Sequence, residues 1–178
     1  MQLSEAISLI NSEHLNQSVP AEWADLGCGS GLFSHALAHF LPEGSRIHAI
    51  DKAVILKPQV LANGVQLLPA QKDFVTDELA LPPLDGVLMA NALHYVKDKP
   101  LLIEKLKRAL KTEGCFLIVE YDTDKPVPVW VPYPTSFSTL SRLFQSAGYR
   151  SVEKLGERPS RYGRGNLYAA LISPPPTS

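Results

Sequence analysis

The chain has 178 residues, with 17 basic and 18 acidic side chains and 45% hydrophobic residues, which at about 150 residues per domain describes one globular domain with no length left for a second core. The near-neutral charge balance speaks against a nucleic-acid coat, an acidic tail or a disordered chain, and surface scaling buries about 70% of the unfolded chain's surface without help from disulfides. Cys28 and Cys115 lie far apart in glycine-rich or apolar stretches, which fits a reduced compartment, and no apolar run reaches about 18 residues, so a cytoplasmic chain with neither signal peptide nor membrane span is expected.

Leu3, Ala6, Ile7 and Ile10 fall at i, i+3, i+4 and i+7 and predict a short helix within a lead-in of residues 1–20, which Pro20 closes. Beyond it, helical and extended patterns alternate, the mark of an α/β sheet covered on both faces. Residues 21–26 predict a first strand running into a glycine loop. The helix that follows reaches about Phe40, with Leu32, Phe33, Ala36, Leu37 and Phe40 on one face, and Pro42 and Gly44 end it. Residues 46–50 predict a second strand closing on Asp51, residues 54–62 at best a short helix interrupted by Pro58, and residues 65–68 a third strand before Asp73.

Residues 86–90 predict a buried fourth strand. Asp98 and Pro100 then open a helix through Leu110, and residues 114–120 form the fifth strand. Four prolines within 121–134 make this segment a long shaped loop of the kind that covers sites. Leu140, Leu143, Phe144 and Ala147 restore helical spacing, with Gly148 as the C-cap. Strands near 150–155 and 167–173 complete a domain of residues 21–173, and residues 174–178 read as a frayed tail. The two closing strands stand too near one another for a helical crossover, which favours an antiparallel hairpin.

The strongest chemical signal is Asp25-Leu26-Gly27-Cys28-Gly29-Ser30-Gly31, where a strand ends, glycines turn the chain and a helix begins. Such a loop exposes backbone N–H groups and admits a ligand without Cβ clashes. A dinucleotide fingerprint requires glycine at position 32, where this chain has Leu32, and no Gly-Lys-Ser/Thr follows to make a phosphate-binding loop. Asp25 would repel a pyrophosphate but can pair with a cationic amino group. The ligand should therefore carry an amine.

With these residues the sequence resembles the class I S-adenosylmethionine-dependent methyltransferases, from Trp23 to about Ser173. The resemblance implies a single Rossmann-like, doubly wound sheet of seven strands, mostly parallel with one antiparallel strand, in the order 3-2-1-4-5-7-6. It implies S-adenosylmethionine as cofactor, with Gly27, Cys28, Gly29 and Gly31 against its methionine and ribose parts and Asp25 near its amino group. Asp51, 20 residues after Gly31, would hold the ribose hydroxyls, since a carboxylate accepts two hydrogen bonds at once. Asp73 and Phe74 would meet the adenine, with Lys52 and Ala53 near its face.

The stretch from Asp85 to Val96, Asp-Gly-Val-Leu-Met-Ala-Asn-Ala-Leu-His-Tyr-Val, resembles the branch of the family that methylates small molecules. Asn91 ends the fourth strand where cofactor and acceptor should meet. His94 is suited either to accept a proton from a hydroxyl or amine acceptor, or to cap the following helix and bond to backbone; the second reading is favoured. No nucleic-acid partner is expected. The motif of two prolines and an aromatic after Asn91 is missing, as is a Pro-Cys nucleophile.

Other residues stay outside this reading. His35 and His39 are four apart on a helix without a carboxylate or Cys partner in evidence, so no metal site is assigned. Arg158, Arg161 and Arg164 with Tyr162 form a small basic loop diluted by Glu153 and Glu157, read as solvated. Trp130, Tyr133 and Phe137 would by the family's topology lie over the acceptor pocket, or else pack the loop on the body. Two other functions remain open: a partner subunit or scaffold that binds the cofactor without catalysis, and an NAD-dependent dehydrogenase, which Leu32 and Asp25 disfavour. Neither the acceptor nor the oligomeric state follows from these residues.

Overall fold

The computed structural model describes residues 1–53, 55–160 and 165–174. Among them the elements run α1 (Leu3–Leu9), β1 (Glu22–Leu26), α2 (Leu32–Ala38), β2 (Arg46–Asp51), β3 (Gln59–Val60), β4 (Gln66–Gln71) and β5 (Leu84–Ala90). There follow α3 (Lys99–Lys107), β6 (Leu110–Tyr121), α4 (Phe137–Ser146), β7 (Ser151–Pro159) and β8 (Asn166–Ser173), with single 3-10 turns at Glu13–Leu15 and Leu93–Tyr95. The strands of the described residues form one sheet in the order β3-β4-β2-β1-β5-β6-β8-β7. From β4 to β6 neighbouring strands are parallel, whereas β8 runs antiparallel to both β6 and β7. Once the two-residue edge strand β3 is set aside, the order is the expected 3-2-1-4-5-7-6, with the last strand inserted beside the fifth.

The central strands are apolar at nearly every position because both faces are covered. Side chains alternate between faces, so each strand serves two cores. Trp23, Leu88 and Leu117 pack with Ala6 and Leu9 of α1 and with Phe33 and Leu37 of α2. Ala24, Val87, Met89, Phe116 and Ile118 face Leu102, Ile103 and Leu106 of α3 and Leu140 and Phe144 of α4. Ile10 and Leu15 bring the lead-in into the first of these cores. No helix of the described residues is long and apolar enough to cross a membrane.

The short helix expected over 54–62 does not form in the described residues of that stretch. Pro58 biases the residue before it away from helical angles, and Gln59 and Val60 pair antiparallel with Leu67 and Gln66 instead. The turn between them contains Asn63-Gly64, with Gly64 at φ +80°. Strand β6 begins earlier than expected, pairing Leu110 with Leu84 before its register shifts to set Cys115 opposite Gly86. Of the basic loop, Arg158 is described and bonds Glu5 at 2.7 Å. Arg161, Tyr162 and Arg164, and tail residues 175–178, lie outside the described residues.

Candidate functional site

Strands β1, β2, β4, β5 and β6 are parallel, so their C-terminal ends come together along one edge of the sheet, where doubly wound folds place ligands. After β1 the glycine loop takes left-handed backbone angles at Gly27, Gly29 and Gly31, with φ of +79°, +52° and +83°. The amides of Gly27 and Cys28 both donate to Ile50 O, at 2.7 and 3.2 Å, which fastens the loop to the end of β2. A Cβ on Gly27 would stand 2.6 Å from the Cβ of Ala92. The loop is therefore pressed directly against the segment that follows β5.

Asp25 is 1% exposed. Ser34 Oγ donates to its Oδ2 at 2.5 Å, while Oδ1 is buried and has no partner. Burial pushes the carboxyl up to about 7 against the lowering effect of the Ser34 bond, and the nearby Asp51 charge raises it further. Cys28 shares these surroundings, and burial with the Asp25 and Asp51 charges lifts its thiol to about 12, so it is a neutral wall group and no nucleophile. Asp51 accepts the Gly29 amide on Oδ2 and the Ala53 amide on Oδ1, each at 2.9 Å.

Asp73 takes the Val75 amide at 2.9 Å and pairs with Lys52 Nζ at 2.8 Å. The Lys52 bond above all holds its carboxyl down at about 2. Phe74 is buried, with its ring 3.5 Å from the position of a Gly27 Cβ. Residues 25–31, 51–52 and 73–74 thus come together from three strand ends.

On the other side of Ala92 stands a second constellation. Asn91 adopts a left-handed φ of 54°, its amide donates to Val119 O at 2.8 Å, and its side-chain Oδ1 is buried without a partner. His94, in the turn Leu93–Tyr95, has a buried ring whose Nδ1 lies 2.7 Å from Glu120 Oε2, and its amide donates to Glu120 Oε1 at 3.1 Å. Both side chains are almost wholly out of water. A carboxylate only accepts, so in this pair Nδ1 carries the proton and Glu120 fixes the orientation of the ring. In the sequence Glu120 stands only as the end of the expected fifth strand. Its signal was a lone acid closing the apolar run of residues 115–119, where a charge has to find a partner.

Asn91 and His94 line a cavity of about 490 Å³, with Tyr95, Tyr121, Thr123, Val127, Trp130, Val131 and Ser160 as its other walls. The proline-rich segment supplies one wall, where Val127 and Val131 exchange backbone hydrogen bonds at 3.0 and 2.8 Å and Trp130 sits at the tip of the loop they close. Tyr133 secures this segment to the turn that carries His94: its amide donates to His94 O at 2.9 Å, and its carbonyl accepts Lys99 Nζ at 2.8 Å. The same buried ammonium also donates to Val96 O at 3.0 Å. Phe137 goes elsewhere, packing edge-on against Tyr168 with ring centroids 5.6 Å apart. Of the pair considered for metal, His35 Nδ1 bonds Gly31 O at 2.8 Å and His39 packs edge-on against Phe40.

Compared with known proteins, residues 24–116 match the family model of a methyltransferase domain. The chain is 28% identical over 119 residues to a ubiquinone biosynthesis O-methyltransferase of Xylella fastidiosa, an overlap of 61% of this chain and 46% of that protein. It spans about half the length of the curated relatives it matches. Among solved structures, the Burkholderia thailandensis 1,6-didemethyltoxoflavin-N1-methyltransferase with bound 1,6-didemethyltoxoflavin and S-adenosylhomocysteine superposes with a TM-score of 0.69 at 17% identity, covering 98% of this chain and 78% of that one. Magnesium protoporphyrin IX methyltransferase of Synechocystis PCC 6803 with bound S-adenosylmethionine gives 0.66 at 15% identity, covering 97% and 78%. At such identities the likeness is one of fold.

Proposed function

Because the chain belongs to the methyltransferase domain family, we propose that it transfers a methyl group from S-adenosylmethionine to a nucleophilic atom of a small molecule. The observation that carries this reading is the contact of Gly27 with Ala92. It sets the glycine loop against the residue that directly follows Asn91 and stands two before His94, both of which line the cavity, an arrangement suited to a donor on the loop and an acceptor in the cavity. Residues 21–173 are taken as the domain that does this, with residues 1–20 packed against it.

Several features support the fit of the cofactor. The unpartnered Oδ1 of Asp25 offers a buried acceptor to an ammonium group, the interaction that would draw its proton off. Gly27, Cys28, Gly29 and Gly31 form the cradle, and the second lone pairs of the Asp51 oxygens are suited to ribose hydroxyls. Asp73, Phe74 and Lys52 form the adenine end, and Asn91 the end near the sulfur. When bound, the cofactor supplies an electrophilic methyl group on a positively charged sulfur.

The chain's own part is to align and deprotonate the acceptor. Alignment in a water-poor cavity lowers a barrier by as much as about 7–11 kcal/mol in favourable cases. His94, oriented by Glu120, takes the proton from an acceptor hydroxyl or amine at Nε2, which makes His94 the catalytic residue and Glu120 its positioning partner. The name of the Xylella relative, an O-methyltransferase, fits a hydroxyl acceptor. Side-by-side thermal-shift titrations test the cofactor assignment: S-adenosylhomocysteine is expected to raise the melting temperature and NAD to leave it unchanged. A shift with NAD alone, or with neither, rejects the reading.

A further inference from the structure

Behind Tyr95 lies a second hollow, of about 570 Å³, with Val75, Val96, Leu101, Leu102 and Tyr133 among its walls. Tyr95 also lines the cavity assigned to the acceptor, so one ring divides the two spaces. Val96 and Leu102 form a buried floor, while Val75, Leu101 and Tyr133 stand 43%, 67% and 40% exposed. Of the ten large apolar side chains that the described residues leave exposed, five line one space or the other: Val75, Tyr95, Leu101, Trp130 and Tyr133. Exposed apolar surface gathered in this way marks a binding site more often than scattered single residues do.

The divider is held loosely. Tyr95 is 53% exposed, its ring leans on the His94 imidazole with centroids 4.3 Å apart, and its hydroxyl makes no hydrogen bond with the described residues. At the rim, Lys105 is engaged by the carbonyls of Phe74, Val75 and Asp77, and Asp98 by the Leu101 amide. Lys97 is the third charge on this lining, exposed and without an ion pair among the described residues. What the inner part of the hollow offers is apolar contact, and it shares Tyr95 with the cavity that holds His94.

We infer that this hollow is a subsite for an apolar substituent on the methyl acceptor, reached past Tyr95, which thereby sets the size of acceptor the protein takes. The inference rests on the reading of the first cavity as the acceptor site. The acceptor is then a flat hydroxylated ring carrying an alkyl or similar tail: the ring lies between Trp130 and Tyr95 near His94, and the tail against Val75, Leu101 and Leu102.

The test uses the full chain saturated with S-adenosylhomocysteine, whose own binding is measured by calorimetry on the same sample. Phenol and its 4-ethyl, 4-butyl and 4-hexyl derivatives are titrated and followed by the fluorescence of Trp130. Affinity is expected to rise about fourfold per added methylene until the hollow is filled. Leu101→Ser, at an exposed position, should flatten that rise and leave phenol itself unchanged. Tyr95→Ala should weaken phenol and favour the longer members. A flat series in the unaltered protein, a rise that persists in Leu101→Ser, or no response to any of the phenols overturns the subsite. The calorimetry separately reports whether the cofactor reading has failed with it.

Discussion

Asp25 is an acid placed where ionisation is costly, enclosed by the core with one oxygen bonded to Ser34 and the other to nothing. Its folded value of about 7 stands above the ordinary 3.8, so between those values the native state holds a proton that the unfolded chain has lost. The stability this confers is fully present below about pH 4 and is lost as pH rises through 7. Urea melts should therefore show Asp25→Asn gaining on the unaltered protein between pH 5 and pH 8, and parallel pH curves for the two would remove Asp25 from the account. His94 and Glu120 form the other residue-scale unit. With an acceptor in hand, His94→Ala should slow methyl transfer by about 10²–10⁴-fold and leave S-adenosylhomocysteine affinity unchanged, and Glu120→Gln should slow it in the same direction. An unaffected rate in both variants would leave alignment alone as the source of catalysis.

At the scale of elements, β1 and β5 are fitted to one another at a single point. Trp23 lies opposite Gly86, and a Cβ there would come within 2.4 Å of the indole ring. Gly86→Ala forces that wholly buried ring aside, and overpacking of this kind costs about 1–3 kcal/mol, a fall of about 2–4 °C in Tm for each kcal/mol at this chain length; an unchanged Tm would show that the ring has room to move. The apolar run that predicted β5 was readable from composition, but the reason for a glycine inside it was not, because Trp23 is 63 residues away in the chain. Other elements divide in the same way. Period and punctuation located the helices and the parallel strands, and local contrast located the glycine loop. The edge strand β3 is too short to show a period and Pro58 interrupts the run before it, so its one signal is the Asn63-Gly64 turn between Val60 and Val65. Phe137 follows the second of the two readings open to it, packing on the body, because a helix starting at that residue turns its ring inward onto Tyr168. The partnership of His94 with Glu120 crosses 26 positions and depends on β5 and β6 being neighbours, which only the fold decides.

The whole molecule gathers its chemistry by topology. Parallel strands bring Asp25, Asp51, Asp73, Asn91 and Glu120 to one edge, although each ends a different strand or follows one, and the inserted β8 closes the far side without disturbing that edge. Across it runs one mechanical link. Tyr133 is gripped on both sides of its own peptide units, through its amide by His94 O and through its carbonyl by Lys99. Lys99→Met should break half of this grip, speeding hydrogen exchange at the Tyr133 amide at least tenfold while cofactor affinity holds; unchanged exchange would show that the His94 bond suffices alone. The wall that carries Trp130 and the turn that carries His94 are in this way yoked like two jaws on a common pivot. On the role proposed for His94, a molecule that pushes the Trp130 wall aside would also move the imidazole, so shape at the ring face and position of the proton acceptor would be coupled through one residue.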